Sequence, residues 1–265
     1  MKSGDIVGRH AKLNNINANH LISVSYTEGA AFDSIILGER SEPIRFNSVL
    51  LIPNLLTKGE CAQLIQDVEQ EHLRLSENGP TQDKGKGTLQ SSVGTERYMI
   101  KNLSEKTRCL FDIVLRDRLL PLISAELPDV EDMIWCFSMI EPVKGAVLGD
   151  MWYKFSSQEP SINRYANGGD FKEHTDGYAL TLNILLSVDD DFTGGGTEFW
   201  REDESSAEPT LRLEPTCAGT GVIFNGQVKH AGRAVIEGVR HLLVASFNVM
   251  KAKILYDRST AQIQK

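Results

Sequence analysis

The sequence predicts a mainly β fold with supporting α-helices, organised as a single domain over residues 1–265. Over residues 131–255, short apolar runs alternate with Gly and Asp turns, a pattern typical of an all-β sandwich or barrel. Over residues 46–130, two longer segments have apolar residues at helical spacing, which predicts helical support for the β core. Residues 1–45 are polar and aperiodic, and we interpret them as an N-terminal extension that is packed on the surface or partly ordered.

Composition and charge restrict the class of protein. The chain has 265 residues, of which 41% are hydrophobic and 24% charged, as is typical of a globular protein. Its formal net charge is −8 and its pI is about 5.3. Nucleic acid and membranes are therefore not expected as partners, because nucleic acids and anionic lipids attract clustered Lys and Arg. Met1–His20 contains no apolar signal segment, so we expect a cytoplasmic protein.

A predicted strand leads directly into a predicted helix. The apolar run Ser48–Ile52 is typical of a strand and ends at Pro53. Thr57 and Glu60 have the spacing of a capping box, which marks the start of a helix. The helix is expected over Cys61–Leu75, with four apolar residues roughly on one face: Leu64, Ile65, Val68 and Leu73.

A long polar loop and a second helix come next. Residues 76–96 are rich in Gly and polar side chains, and loops of this length are usually functional or disordered, so we interpret this one as a candidate lid. The second helix is predicted from Ser104 to Glu126, and Pro121 should kink or divide it. Its apolar side consists of Leu110, Ile113, Val114 and Leu119.

The remaining apolar runs are each predicted to be a strand of the β core. They are short and apolar and alternate with turns that contain Gly and Asp. The runs are Ile134–Ile140, Ser161–Tyr165, Ala179–Val188, Thr197–Trp200, Leu211–Leu213, Gly221–Phe224 and Leu242–Met250.

Three residues have the types and spacing of a metal site. In His174-Thr-Asp176 the two ligand-type side chains are two residues apart, and on a strand such positions point to the same face. His230 lies at the end of a later β-like run, Gly221–Phe224 and its turn. Two His and one carboxylate occupy one face of an octahedron and leave positions open for a chelating co-substrate and O₂. An HxD tripeptide alone is weak evidence, but the order of the surrounding motifs strengthens it.

Arg240 follows His230 behind a glycine turn. If the two residues lie on consecutive strands joined at Glu237–Gly238, Arg240 projects into the barrel, deeper than a metal at His230. A fixed cation there would pair with the distal carboxylate of 2-oxoglutarate. The alternative is a solvated arginine at the end of a strand. His241 is the next residue and must point to the opposite face, so we interpret it as structural.

At these residues the chain resembles the Fe(II)- and 2-oxoglutarate-dependent dioxygenases, and within them the prolyl 4-hydroxylase-like branch. The run Val49–Leu64 also resembles the entry strand and helix of that family. The resemblance implies a double-stranded β-helix (jelly roll) core backed by helices. The matching segments, within roughly residues 160–250, are Ile162–Gly169, Phe171–Asp176, Leu182–Leu186, Thr193–Phe199, Gly221–Phe224 and the stretch from His230 to Arg240.

The resemblance also implies a role for the site residues. His174, Asp176 and His230 would form the catalytic centre and bind Fe²⁺. Arg240 would bind the far carboxylate of 2-oxoglutarate, and Tyr165 would hydrogen-bond the same co-substrate.

Two further co-substrate contacts are predicted on the strand that follows Asp176. Thr181 and Asn183 alternate with apolar residues, so both are expected to face the pocket. Leu185 stands where some relatives of the family have a tyrosine that helps to hold the co-substrate. Thr197 or Ser246 would supply that hydrogen bond, with a plain packing role equally open for both.

The predicted activity is hydroxylation of an unactivated C–H bond, with Fe²⁺, 2-oxoglutarate, O₂ and ascorbate as reductant. A prolyl or other amino-acid-type substrate in a peptide, a free amino acid and a natural product all stay open, as does the oligomeric state. A non-catalytic jelly-roll binding module, a cupin-type metal or sugar binder and a nucleic-acid demethylase are the alternatives. The intact ligands and Arg240 disfavour the first two, and the lack of a basic stripe disfavours the third.

Overall fold

The structure is a computed structural model that describes most of the chain from residue 48 onward. For residues 22–24, 34–36, 189, 251 and 252 only the backbone is described. Most of the predicted lid at residues 76–96, namely 78–93, and most of the N-terminal extension lie outside the described residues, whereas residues 76 and 77 end a helix and residues 95 and 96 begin a strand. The described residues comprise 22–24, 34–36, 48–77, 94–141, 147–200, 209, 211–214 and 217–252.

Four α-helices and fifteen strands are described within these ranges. Of these helices, none is long and apolar enough to cross a membrane. The helices are α1 (Lys58–Glu77), α2 (Glu105–Ile113), α3 (Leu120–Glu126) and α4 (Pro128–Ser138). The strands are β1 (Ile22–Val24), β2 (Ser34–Ile36), β3 (Val49–Ile52), β4 (Thr95–Met99), β5 (Met151–Phe155), β6 (Ser161–Tyr165), β7 (Phe171–His174), β8 (Leu180–Leu185), β9 (Phe192–Gly194), β10 (Thr197–Trp200), β11 (Leu211–Leu213), β12 (Gly221–Phe224), β13 (Lys229–Gly232), β14 (Val235–Gly238) and β15 (Arg240–Ala252).

Two antiparallel sheets form the β core. The larger has the order β2-β1-β3-β12-β8-β15-β6-β4, with β5 also paired to β15, and the smaller has the order β11-β10-β13-β7. Residues of both sheets share one apolar cluster, in which Leu51 and Phe224 of the larger sheet accompany Phe199 and Leu211 of the smaller one. The sheets therefore pack face to face, and the predicted mainly β fold with a jelly-roll core and supporting helices is confirmed.

The strands at the centre of the larger sheet are buried on both faces. On β15, Leu243, Ala245 and Phe247 join the cluster that contains the apolar residues of the helices, whereas Leu242 joins a different cluster on the inner face. Alternate residues of a strand point to opposite faces, so one face supports the helices and the other is directed at the smaller sheet. The apolar run of Leu242–Met250 follows from this double burial.

The entry strand and first helix agree with the prediction except at one apolar residue. The capping box is present: the Thr57 backbone N–H donates to Glu60 Oε2 (2.8 Å), and the Glu60 N–H donates to Thr57 Oγ1 (3.2 Å). Leu64 and Val68 are buried. Leu73 is 59% exposed, because it lies on the side of α1 opposite to Leu64, whereas Leu75 further along the helix packs against the core.

The second helical segment is divided, as predicted from Pro121. Ser104 caps α2 by accepting the Thr107 N–H, and a π-helical segment, Val114–Leu119, separates α2 from α3. Pro121 lies in the first turn of α3, where its missing N–H is not needed. Ile113 was expected on the apolar side but is 42% exposed.

The prediction of a strand at Ile134–Ile140 is wrong, because this run belongs mainly to α4. Pro128 occupies the first helical position, and Val130, Ile134 and Trp135 are buried at helical spacing. A short apolar run does not distinguish a strand from a buried helix segment, and here the preceding proline marks the helix start. The helical part of the chain therefore extends to Ser138.

We expect the contacts of Glu60 to contribute measurably to stability. Its carboxylate closes the capping box and also accepts from both terminal nitrogens of Arg118 (2.9 and 2.6 Å). The Arg118 hydrogen bonds, together with those from Thr57, outweigh the effect of burial and lower the pKa of Glu60 from 4.5 to about 2. Since the folded-state pKa is lowered, this stabilisation is present above about pH 4.5 and is lost as the pH falls toward 2.

The variant Glu60→Ala should lower the free energy of unfolding by about 2 kcal/mol at pH 7, measured by urea denaturation. The difference from the wild type should shrink as the pH is lowered from 4.5 toward 2. Glu71→Ala is the matched control, because Glu71 lies on the same helix and forms an ion pair with the exposed Arg74. Equal losses in the two variants would contradict the prediction.

Candidate metal centre

Two histidines are neighbours on adjacent strands of the smaller sheet. His174 ends β7, His230 lies on β13, and the two residues are direct partners in the antiparallel pairing. Their ring centroids are 4.3 Å apart. The register shifts between His230 and Gly232, and such a bulge changes the direction of the side chains next to it. Two imidazoles are thus placed side by side at the interior face of this sheet.

Asp176 completes a three-residue cluster from the loop that follows β7. Its backbone N–H donates to the Gly226 carbonyl (2.8 Å), which fixes the loop. Its Oδ1 lies 3.3 Å from His174 Nε2, and its Oδ2 lies 3.6 Å from His230 Nε2. One ligand atom from each residue lies within 4.8 Å of the other two.

Three details of the predicted arrangement are corrected, although the three residues do come together. Asp176 does not lie on a strand, because β7 ends at His174, so the convergence depends on the loop. His230 is not in the turn after β12 but on a strand of its own, β13. His230 and Arg240 are likewise not on consecutive strands, because β14 lies between β13 and β15.

The imidazole hydrogen bonds test whether this cluster fits a metal ion. His174 Nδ1 lies 2.7 Å from the Lys172 carbonyl oxygen, and His230 Nδ1 lies 2.9 Å from the Val228 carbonyl oxygen. A carbonyl can only accept, so both Nδ1 atoms carry a proton, and in the neutral ring Nε2 keeps its lone pair. Both Nε2 atoms point toward the Asp176 carboxylate, and the donor set therefore fits a divalent cation.

Asp176 is held in its ionised form. Burial opposes ionisation, but the neighbouring imidazoles of His230 and His174 and a hydrogen bond from Thr181 outweigh it and lower the pKa of Asp176 to about 2. Thr181 Oγ1 donates to Asp176 Oδ2 and lies 3.2 Å from Ser246 Oγ. Burial also lowers the pKa of His230, which favours the neutral ligand form of that ring.

Arg240 lies in the same pocket, on the opposite sheet. It is 4% exposed, and its neighbour across the β6–β15 pair is Tyr165, whose ring centroid lies 5.5 Å from the guanidinium carbon. Gly195, at φ +73°, lets the backbone approach the Arg240 side chain, because an added Cβ would lie 3.1 Å from Cδ. Burial lowers the pKa of Arg240, and its buried Nε has no hydrogen-bond partner among the described residues. Such an unpaired buried donor is costly and indicates a place for an acceptor.

His241 points to the opposite face of the sheet, as predicted. Its Nε2 lies 2.7 Å from Glu69 Oε1 on α1, and its backbone N–H donates to Ser187 Oγ (2.8 Å). Glu69 also accepts from Arg164 Nε (2.8 Å). These contacts fix the start of β15, and thereby the backbone from which Arg240 projects.

The remaining predicted pocket residues have different positions. Asn183 lines the pocket, and its Oδ1 is buried without a hydrogen-bond partner. Thr181 contacts Asp176 instead of lining the pocket wall. Of the two alternatives for the missing hydroxyl at Leu185, Thr197 lines the pocket, whereas Ser246 is fully buried beside Thr181.

The sequence-based interpretation missed three polar residues of the pocket wall: Arg97, Glu159 and Asn163. The Asn163 side chain is on the same face of β6 as Tyr165, two residues away, so strand alternation was a usable signal. Arg97 lies on β4, which the polar composition around it concealed. Burial, together with the negative charge of Asp176, raises the pKa of Glu159.

Comparison with known proteins gives only distant structural similarity. No protein-family model and no curated protein matches the chain. One similar solved structure is an oxidoreductase of the 2OG-Fe(II) oxygenase family from Burkholderia pseudomallei, with 13% identity, coverage of 76% of this chain and 84% of that chain, and a TM-score of 0.45. A prolyl-4-hydroxylase from Pseudomonas putida has 14% identity, coverage of 77% of this chain and 93% of that chain, and a TM-score of 0.48. A prolyl hydroxylase from Trichoplax adhaerens, in complex with a hypoxia inducible factor peptide fragment, has 15% identity, coverage of 78% of this chain and 86% of that chain, and a TM-score of 0.46. At these identities and TM-scores, the similarities say nothing about the role of this chain.

Removing the Thr181 hydroxyl should weaken metal binding without removing a ligand. Thr181→Val keeps the side-chain shape but takes away the hydrogen bond to Asp176, so we expect the dissociation constant for Mn²⁺ to rise roughly 10- to 100-fold in isothermal titration calorimetry. Thr197→Val is the control, since it removes another hydroxyl of the same pocket. An unchanged Mn²⁺ affinity in Thr181→Val, or an equal loss in both variants, would show that this bond does not orient the ligand.

Proposed function

We propose that the protein is an Fe²⁺- and 2-oxoglutarate-dependent dioxygenase that hydroxylates a C–H bond of its substrate. The proposal depends mainly on one observation, which is that a single pocket contains both a possible metal-binding cluster and a buried cation. His174, Asp176 and His230 converge on one side, and the buried, unpaired donor of Arg240 lies on the other. A three-residue facial ligand set and a fixed cation in one pocket suit a ligand that chelates a metal with one end and carries a carboxylate at the other.

The cluster is better explained as a metal centre than as a buried ion pair. If both Nε2 atoms carried lone pairs with nothing between them, they would face the Asp176 oxygens at 3.3 and 3.6 Å without a proton to share. The carbonyl contacts at Nδ1 favour that tautomer on both rings. A divalent cation among the three side chains would remove this repulsion by accepting a lone pair from each of them.

Each residue has a defined task in the proposed reaction. His174, Asp176 and His230 would hold the iron, and Thr181 would keep the carboxylate oriented. Arg240 would anchor the distal carboxylate of 2-oxoglutarate. When bound, the iron supplies the oxidative chemistry by which R–H, 2-oxoglutarate and O₂ become R–OH, succinate and CO₂. The pocket walls exclude water and hold the reactants in place.

The substrate is proposed to be of amino-acid type, in a peptide or as a prolyl residue, with a small molecule as the second possibility. Arg97 and Glu159 line the pocket together, and they give its wall one positive and one acidic group. Such a wall suits a polar substrate that can both accept and donate hydrogen bonds. Ascorbate is proposed as the reductant that keeps the iron ferrous.

Turnover of 2-oxoglutarate tests the proposed function directly. The wild-type chain, supplied with Fe²⁺, ascorbate and O₂, should release succinate and CO₂, and His174→Ala should reduce the rate at least 100-fold because one of three metal ligands is lost. His72→Ala is the matched control, since His72 lies on α1 beside Glu96 and away from the cluster. Binding of 2-oxoglutarate without any succinate release would instead support a non-catalytic binding module.

Arg240→Gln should raise the dissociation constant for 2-oxoglutarate about 100-fold or more, because the partner of a buried carboxylate is removed. The affinity for Mn²⁺ should stay within about twofold of wild type, since Arg240 is not a ligand. Calorimetric titration of both ligands measures the two effects on one preparation. If 2-oxoglutarate bound equally well to Arg240→Gln, the role proposed for the guanidinium would be wrong.

A further inference from the structure

A chain of hydrogen bonds runs along the inner face of β6 beside Arg240. Asn163 and Tyr165 are two residues apart on this strand, so both side chains project into the pocket. Tyr165 is paired with Arg240 of β15, and Asn163 with Leu242. The exposed fraction is 2% for Asn163 and 3% for Tyr165. Two buried polar groups therefore lie next to the unpaired cation.

The orientation of the Asn163 amide is fixed by its neighbours. Its Oδ1 accepts from Arg97 Nε (3.2 Å) and lies 3.2 Å from Ser161 Oγ. A guanidinium can donate but never accept, so the amide atom beside Arg97 must be the oxygen. The Nδ2 group consequently faces the Tyr165 hydroxyl at 3.0 Å. Arg97 itself is held by Gln158 (3.3 Å) and lies over the Phe171 ring.

This orientation determines where the Tyr165 proton points. An amide NH₂ can only donate, so the Tyr165 oxygen accepts from Asn163 and its own proton is directed away from that residue. Arg240 on the other side is also only a donor, and its Nε lacks a partner. The hydroxyl and the guanidinium are therefore two donors that need one external acceptor between them, and a carboxylate provides two acceptor oxygens.

We propose that Asn163 is a positioning residue: anchored by Arg97, it holds the Tyr165 hydroxyl as a donor to the far carboxylate of the co-substrate, beside Arg240. This inference rests on the proposed function. It also accounts for the missing hydroxyl at Leu185, which packs in an apolar cluster with Tyr165 on the same inner face. The carboxylate would be held from the β6 side by an oriented phenol instead of from β8.

A double-mutant cycle with two ligands tests the proposal. The protein is loaded with Mn²⁺, and the dissociation constants of 2-oxoglutarate and 2-oxopentanoate are measured by calorimetry. The second ligand keeps the keto acid and has a methyl group in place of the far carboxylate. Asn163→Leu and Tyr165→Phe should each weaken 2-oxoglutarate about 10-fold, as expected for a hydrogen bond to a charged group. Both variants should bind 2-oxopentanoate within twofold of wild type.

The double variant distinguishes positioning from general damage to the pocket. Once Tyr165 lacks its hydroxyl, Asn163→Leu should have an additional effect of less than twofold on 2-oxoglutarate, because the two residues act as one unit. Additive losses, or equal losses for the two ligands, would overturn the proposal. Should Asn163→Leu fail to bind Mn²⁺, the same cycle is measured with Asn163→Ala.

The wild-type measurement separates this inference from the proposed function. If the Mn²⁺-loaded wild type does not bind 2-oxoglutarate, the proposed function is wrong and the inference falls with it. If the wild type binds 2-oxoglutarate but the cycle is additive, the function stands and only the role of Asn163 is rejected.

Discussion

The candidate site depends first on the pairing of β7 with β13. This register sets His174 opposite His230 and brings the two imidazoles within contact distance. A shift of one residue would turn one of the two side chains to the other face of the sheet and separate the pair. Asp176 joins them only because the loop after β7 is tied to the Gly226 carbonyl. The chemistry proposed for the protein thus has its origin in backbone hydrogen bonds.

The second constraint is the strict alternation of side chains along β15. Arg240 projects into the pocket, and the next residue, His241, is bonded to Glu69 of α1 on the opposite face. Two consecutive residues of β15 therefore link the helical layer, through His241, to the pocket, where Arg240 supplies a positive charge. A rigid strand with helices packed behind it can hold a buried guanidinium in one position, which a loop could not do as well.

Strands were predictable from the sequence where short apolar runs are bounded by turns. Ser161–Tyr165, Thr197–Trp200, Leu211–Leu213 and Gly221–Phe224 have the predicted bounds. Ile134–Ile140 did not follow the pattern, since a buried helix segment and a buried strand have the same local composition. The candidate metal ligands could be recognised in the sequence by their residue types and spacing. The contact of Arg97 with Asn163 could not, because it joins β4 to β6 through a strand pairing that local sequence does not specify.

Charge balance within the pocket gives a reason for a doubly charged co-substrate. Two neutral imidazoles and the Asp176 carboxylate around a ferrous ion leave one positive charge, and Arg240 adds a second. Arg97 and Glu159, which line the same pocket, carry opposite signs when both are ionised. A dicarboxylate neutralises both positive charges, whereas a monocarboxylate would leave the guanidinium buried without a counter-ion, at a cost of several kcal/mol. In the proposed function, selection for two carboxylates would come from the electrostatics of the pocket as well as from its shape.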